Sequence, residues 1–342
     1  MATLRERITA PAHLELPTAV GGLTFRAASR EDLDAVHAVA VAAAAVDDPH
    51  ARPSTADFER TLSTEGLDVA RDTLVGLDAE GHVQAYGIVI DVPSRVTAAR
   101  VVLDGAVHPD VRGQGIGRRV MAWQVGRARQ RLATLDLDVP ATIEVGAPEG
   151  SPTLHLAARF GMVPTRNWID MQVVFGSDPD DVAALPPLPD GFTVRAATPD
   201  DIEPLRTAKN DAFRDHWGSQ PMVESDWRGF LTATKSRLDL SRVVLGPDGS
   251  IAAFAIVEVD PDGFAARGRS YGYVHWVGVV RAARGLGLAP IVTDASLRAI
   301  RGAGLSAAVL HVDAENPSGA GRIYERLGFV AGEVHVTAST PL

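Results

Sequence analysis

Val107-His-Pro-Asp-Val-Arg112-Gly113-Gln114-Gly115-Ile116-Gly117 and Val279-Val-Arg-Ala-Ala-Arg284-Gly285-Leu286-Gly287-Leu288-Ala289 are two copies of one signature. In each, an arginine follows a valine by five residues, and Gly-x-Gly-x-Gly/Ala then opens a long helical stretch. A strand, a glycine turn and a helix start in that order aim several unpaired backbone N–H groups at one point, which suits a phosphate.

The surroundings repeat as well. Phe25-Arg26-Ala27-Ala28-Ser29 answers Val194-Arg195-Ala196-Ala197-Thr198, with the arginines 169 positions apart. The apolar run Val83–Ile90 answers Ile251–Glu258, offset by 168, and Gly161 answers Gly328, offset by 167. A near-constant offset means two domains of one fold in tandem. We place an N-terminal extension at 1–20, the first domain at 21–176, a Pro- and Asp-rich linker at 177–191 and the second domain at 192–342. Each half reads as strand, helix, a variable stretch, two strands joined by a tight turn, a strand into the signature, a helix, a strand, a short helix and a closing strand. That order predicts an α/β (α+β) fold.

Composition narrows the function. No apolar run reaches membrane-spanning length and the N-terminus has no secretory pattern, so a soluble, cytoplasmic protein without a membrane partner is expected. The chain has no cysteine, which excludes disulfides, thiolate metal sites and a cysteine acyl-enzyme. A net charge of −10 argues against nucleic acid, which requires a basic footprint. No His/Asp/Glu cluster has metal-ligand spacing, so no metal is expected. Neither signature continues into Gly-Lys-Ser/Thr, and neither has the glycine spacing of a dinucleotide fold.

With Asn316 and Tyr324-Glu-Arg-Leu-Gly328-Phe329 following the second copy, the pattern resembles the GNAT superfamily of N-acetyltransferases. The resemblance covers both halves and is nearly complete in the C-terminal one. It implies two tandem domains, each a mixed, mostly antiparallel sheet flanked by helices, with acetyl-CoA or another acyl-CoA as co-substrate. It places the donor's diphosphate on the amides of Arg284, Gly285, Leu286, Gly287, Leu288 and Ala289. Its pantetheine then pairs with the backbone of Val277 and Val279, with Asn316 nearby. The same carry-over puts Val107, Arg112, Gly113, Gln114, Gly115, Ile116 and Gly117 on a donor in the first half. Tyr324 is the general acid for the departing sulfur, and an N–H near Val279 faces the oxyanion. Opposite Tyr324 the first half has Ala157, and opposite Asn316 it has Glu149. We therefore expect the C-terminal half to be the enzyme and the N-terminal half to be degenerate. Without a cysteine, direct transfer in a ternary complex is favoured over a ping-pong path.

By the same resemblance the acceptor faces Phe213–Gly218, Trp227 and Tyr271–Trp276. Asp215, His216, Trp217 and Tyr273 are the candidate contacts for a small-molecule amine. The alternative is that Trp217 and Trp227 only pack this segment onto the sheet. The general base stays open among His275, Asp215, Glu258 and a water chain, with His275 preferred because it shares the strand of the donor-binding valines. His108 and His50 read as turn residues. The layout is also similar to that of mycothiol synthase, which acetylates an amino-sugar cysteine conjugate, although Asp215-His-Trp-Gly218 and the N-terminal extension depart from that pattern. A non-catalytic acyl-CoA sensor is the competing class of function, protein-lysine acetylation is a third, and the chain is expected to be a monomer or homodimer.

Overall fold

A computed structural model describes residues 2–49, 51, 53–92, 94–176, 185–316 and 319–342. The chain divides into two compact units. One comprises the residues up to Arg166 together with His335–Leu342, and the other is Asn167–Val334.

In the first unit the elements run α1 (Leu4–Arg7), β1 (Thr24–Arg26), α2 (Leu33–Asp47), α3 (Thr55–Leu62), α4 (Val69–Asp72), β2 (Thr73–Leu77), β3 (Val83–Asp91), β4 (Ala99–Val107), α5 (Ile116–Leu132), β5 (Ala141–Pro148) and α6 (Pro152–Ala158). Strand β6 (Val163–Val174) then leads into the second unit. There follow β7 (Thr193–Ala196), α7 (Ile202–Ala212), α8 (Glu224–Leu231), β8 (Arg242–Leu245), β9 (Ile251–Glu258), α9 (Phe264–Arg267), β10 (Tyr271–Val279), α10 (Leu288–Gly302), β11 (Ala307–Asp313), α11 (Ala320–Arg326) and β12 (Val330–Pro341). The repeated order expected from the sequence is present in both units, and each sheet is mixed and mostly antiparallel with helices on its faces.

The strand that closes each sheet comes from the other half of the sequence. The first unit has the strand order β1-β2-β3-β4-β5-β12, with His335–Pro341 antiparallel to Thr142–Pro148. The second is β7-β8-β9-β10-β11-β6, with Trp168–Val174 antiparallel to Ala307–Asp313. A closing strand for each half was legible, but its exchange between halves was not. Of the linker at 177–191, residues 177–184 lie outside the described residues. Leu185 and Leu188 pack against the core of the second unit.

Each sheet buries both faces. In the first unit Val120, Trp123 and Leu132 of α5 meet Leu74, Val89, Val101 and Leu103, while Val36, Val39 and Phe58 cover Val75, Tyr86 and Ile88 on the other side. In the second unit α10 covers Ala253, Val257 and Val274, and α7 with α8 covers Val243, Phe254 and Ile256. No helix is long and apolar enough to cross a membrane among the described residues.

Residues 2–20 form a strap along α5. Leu4 and Arg5 donate their backbone N–H groups to the carbonyls of Leu137 (2.8 Å) and Leu135 (3.0 Å). Arg129 and Gln130 reach the carbonyls of Thr9 and Pro11. Leu14 lies so close to Gly126 that a Cβ there would meet its Cδ1 at 2.8 Å, which explains a glycine in mid-helix. Leu4 is fully buried. Leu4→Ala is therefore expected to destabilise the first unit by about 2–5 kcal/mol, the usual range for a leucine truncated inside a core. Chemical denaturation followed by circular dichroism checks this, and a midpoint equal to that of the unaltered chain would refute it.

Candidate active site

The signature loops have one geometry in both units. Gly113 (φ 79°) and Gly115 (φ 83°) match Gly285 (φ 81°) and Gly287 (φ 72°), all in the left-handed region that a side chain resists. Gly117, the third position of the first copy, lacks a positive φ, and a Cβ there would make only ordinary contacts at 3.5 Å or more. This accounts for Ala289 at the same place in the second copy. The first turns of α5 and α10 then present N–H groups that have no acceptor within the helix. The N–H groups of Arg112 and Arg284 are not among them, since they bond to the carbonyls of Pro109 and Arg281 at 3.3 Å. The open amides therefore begin at Gly113 and Gly285.

The leading arginines anchor the loops through their side chains. Arg112 donates to the Val107 carbonyl (3.0 Å) and in bidentate fashion to Asp47 at the end of α2 (2.8 and 2.7 Å). Arg284 donates to the Ala212 carbonyl at the end of α7 (2.9 Å) and to Asp215 (3.3 Å), while Arg281 grips both oxygens of Asp215 at 2.8 Å. Asp215 thus stands at the signature loop, bonded to its arginines, next in the chain to His216.

Beyond each loop the central strands diverge. The parallel register of β4 with β5 ends at Val102↔Glu144, and that of β10 with β11 ends at Tyr273↔Val309. Strand β10 keeps its partner β9 through Val279. The backbone of Val277 and Val279 therefore has an open edge on its other side, where an extended ligand can pair as an added strand.

Only the second unit has a bulge here. The register with β9 skips His275, between Val274↔Val257 and Trp276↔Ile256, whereas β4 pairs with β3 without interruption. A bulge breaks the alternation of a strand. Val274, Val277 and Val279 pack toward α10, while His275 and Trp276 both turn to the α7–α8 face. On that face His275 Nδ1 lies 2.6 Å from Glu258 Oε2. Tyr273 stands edge-on to His275, with ring centroids 5.5 Å apart, and its hydroxyl is 3.0 Å from His311 Nδ1. Burial, with Glu258 and Asp170 adding to it, pushes the Tyr273 phenol far above its ordinary range.

The aromatics divide between core and rim. Trp227 is fully buried and donates its indole N–H to the Ile202 carbonyl (2.6 Å), so it packs the segment onto the sheet. Trp217 and His216 instead meet Trp168 of β6, with ring centroids 6.5 and 6.2 Å from it. Lys209 is buried, with its ammonium 6.0 Å from the ring centroids of both Phe213 and Trp276. It donates to the Gln220 carbonyl (3.0 Å), and desolvation lowers its ammonium to about 8. His108 accepts from the Asp110 N–H as the turn residue expected, and His50 lies outside the described residues.

Tyr324, on α11, is 9% exposed and stacks edge-on against Phe329 at 5.8 Å. Desolvation pushes its phenol up to about 12, and its hydroxyl has no hydrogen-bond partner among the described residues. Asn316 sits in the turn that starts this helix. Its N–H donates to the Asp313 carbonyl, and its own carbonyl accepts from Gly319. In the first unit Ala157 is the fully buried counterpart of Tyr324. Trp168, Asp170 and His311 were not singled out from sequence. The one signal for Asp170 was an acid set between Ile169 and Met171 on an apolar strand.

The sequence pattern of the acetyltransferase (GNAT) family matches residues 202–329. A mycothiol acetyltransferase of Saccharopolyspora erythraea is 30% identical over 264 residues, covering 76% of this chain and 82% of the relative. The chain belongs to the GNAT acetyltransferase family. The crystal structure of a GCN5-related N-acetyltransferase from Sphaerobacter thermophilus superposes with a TM-score of 0.71 at 23% identity, covering 96% of this chain and 97% of that one. A tandem GNAT protein from the clavulanic acid biosynthesis pathway superposes at 0.65 with 18% identity, covering 93% and 98%. These likenesses agree with the tandem GNAT fold, and family membership makes the protein an N-acetyltransferase that uses an acyl-CoA.

Proposed function

We propose that the C-terminal unit transfers an acetyl group from acetyl-CoA to the primary amine of a small molecule, directly and within a ternary complex. The observation that carries this reading is an open β10 edge together with a buried, unpartnered phenol on α11, where the first unit has Ala157. The amides from Gly285 to Ala289 hold the diphosphate, and the backbone of Val277 and Val279 receives the pantetheine. An N–H near Val279 faces the oxyanion that develops as the amine attacks.

His275, held by Glu258, removes a proton from the ammonium. Glu258 on Nδ1 favours the tautomer whose Nε2 is free to accept it. Tyr324 donates to the departing thiolate, which its raised pKa permits across the physiological range because the phenol stays protonated. The first unit retains the loop from Arg112 to Gly117 and the open edge at Val107, and so can hold a donor, but Ala157 has no proton to give.

His216, Trp217 and Tyr273 form the acceptor wall. The mycothiol acetyltransferase relative makes the amine of an amino-sugar cysteine conjugate the second reading for the acceptor. Release of CoA, followed with a thiol reagent across a panel of amines that includes such a conjugate, tests both. Amine-dependent release supports transfer. Acetyl-CoA binding without release for any amine would favour a sensor.

A further inference from the structure

An acceptor that enters as an ammonium and leaves as an amide gives up two protons from nitrogen. The sulfur takes up one, supplied by Tyr324 under the function proposed above, on which this inference rests. His275 can receive only one, because Glu258 already occupies its Nδ1 at 2.6 Å. A second exit is therefore needed on the acceptor face.

A row of three polar side chains stands beside it, one link a hydrogen bond and the other a longer contact. The Tyr273 hydroxyl is 3.0 Å from His311 Nδ1. On the far side of the same ring, His311 Nε2 lies 3.5 Å from Asp170 Oδ1, a buried carboxylate oxygen with no hydrogen-bond donor. Arg267 fixes the other oxygen of Asp170 at 2.8 Å. With Nε2–H facing the carboxylate, Nδ1 is left to accept the phenol proton. The His311 side chain is 40% exposed and so can pass a proton to water, while that of Asp170 is 8% exposed. The charged and titratable groups around Tyr273 are Glu258 and His275, Asp170 and Arg267, His311 and Tyr271, so both histidine–carboxylate pairs meet at this one ring.

We infer that Tyr273, His311 and Asp170 form a proton relay that carries the second proton of the acceptor nitrogen to solvent. The N–H bond of the tetrahedral intermediate breaks as an O–H bond forms on Tyr273. The original Tyr273 proton passes to His311 Nδ1, and the resulting imidazolium is paired by Asp170 until its proton leaves to water. His275 likewise releases its proton to solvent, and Tyr324 takes one back from solvent, so that one proton is released per turnover. Asp170 is a positioning residue. It lies on β6, so the relay of the C-terminal unit depends on a residue from the first half of the sequence.

Tyr273→Phe, His311→Asn and the double variant, made in the full chain and assayed with an accepted amine, test the relay. Each single variant is expected to lower kcat by about 10²-fold, in the range for positioned acid–base groups, with the KM for acetyl-CoA unchanged. The double variant should be no slower than either single, because one chain broken twice is still one broken chain. Added imidazole should restore part of the turnover of His311→Ala. Losses that multiply in the double variant, or single variants as fast as the unaltered chain, would overturn the relay and leave the proposed function standing. No acetyl transfer by the unaltered chain would overturn both.

Discussion

Tyr324→Phe is expected to lower kcat by about 10²–10⁴-fold, with the affinity for acetyl-CoA nearly unchanged. Phenylalanine keeps the ring that packs on Phe329 and removes only an oxygen with no partner among the described residues, so folding should survive. What disappears is the proton for the leaving thiolate. A loss confined to kcat marks an interaction made in the transition state, whereas a loss confined to KM would mark simple binding. Because burial holds the phenol at about 12, the unaltered enzyme should show no alkaline decline from this group below that range. Steady-state kinetics with calorimetry on the same preparation check both parts, and full turnover in the variant would remove Tyr324 from the mechanism.

Gly285→Val is expected to weaken acetyl-CoA binding by about 10–10²-fold, the loss of one or two hydrogen bonds to a charged group. The residue adopts φ 81°, where a β-branched side chain is strained, yet a Cβ would meet no heavy atom within 4 Å. The effect is therefore a turned loop and a blocked approach to its amides, rather than a clash in the core. Gly113→Val makes the same change in the first unit. It should leave turnover intact, because the unit it alters lacks the phenol. Calorimetric titration of both variants checks the binding, and steady-state kinetics check the turnover. Equal losses of activity from the two would contradict the division of labour between the halves.

Much of this was legible in the chain. The constant offset between the halves revealed the tandem, and the paired signatures located the loops and the helices they open. Which of their glycines are left-handed came from the structure, since Gly113 and Gly115 have positive φ and Gly117 in the same run does not. The exchanged closing strands were not legible, since two similar apolar runs at 163–174 and 330–341 do not say which sheet each one joins. The site of the C-terminal unit therefore lost Trp168 and Asp170 in a reading that kept each half to itself. The bonds that Arg281 and Arg284 make to Asp215 were also not legible, because a sequence does not reveal which arginines reach back across the loop. The bulge left a faint trace. The offset between β4 and β10 rises from 171 at Val102/Tyr273 to 172 at Val107/Val279, and the added residue is His275, which turns to the acceptor face.

The grip of the second glycine loop on a coenzyme thioester is tested most directly by titrating acetyl-CoA into the full chain by calorimetry. Saturable binding is expected, with a Kd below about 1 mM, as befits a working enzyme, and it should weaken sharply in Gly285→Val. A flat titration, or one that Gly285→Val leaves unchanged, would contradict the account.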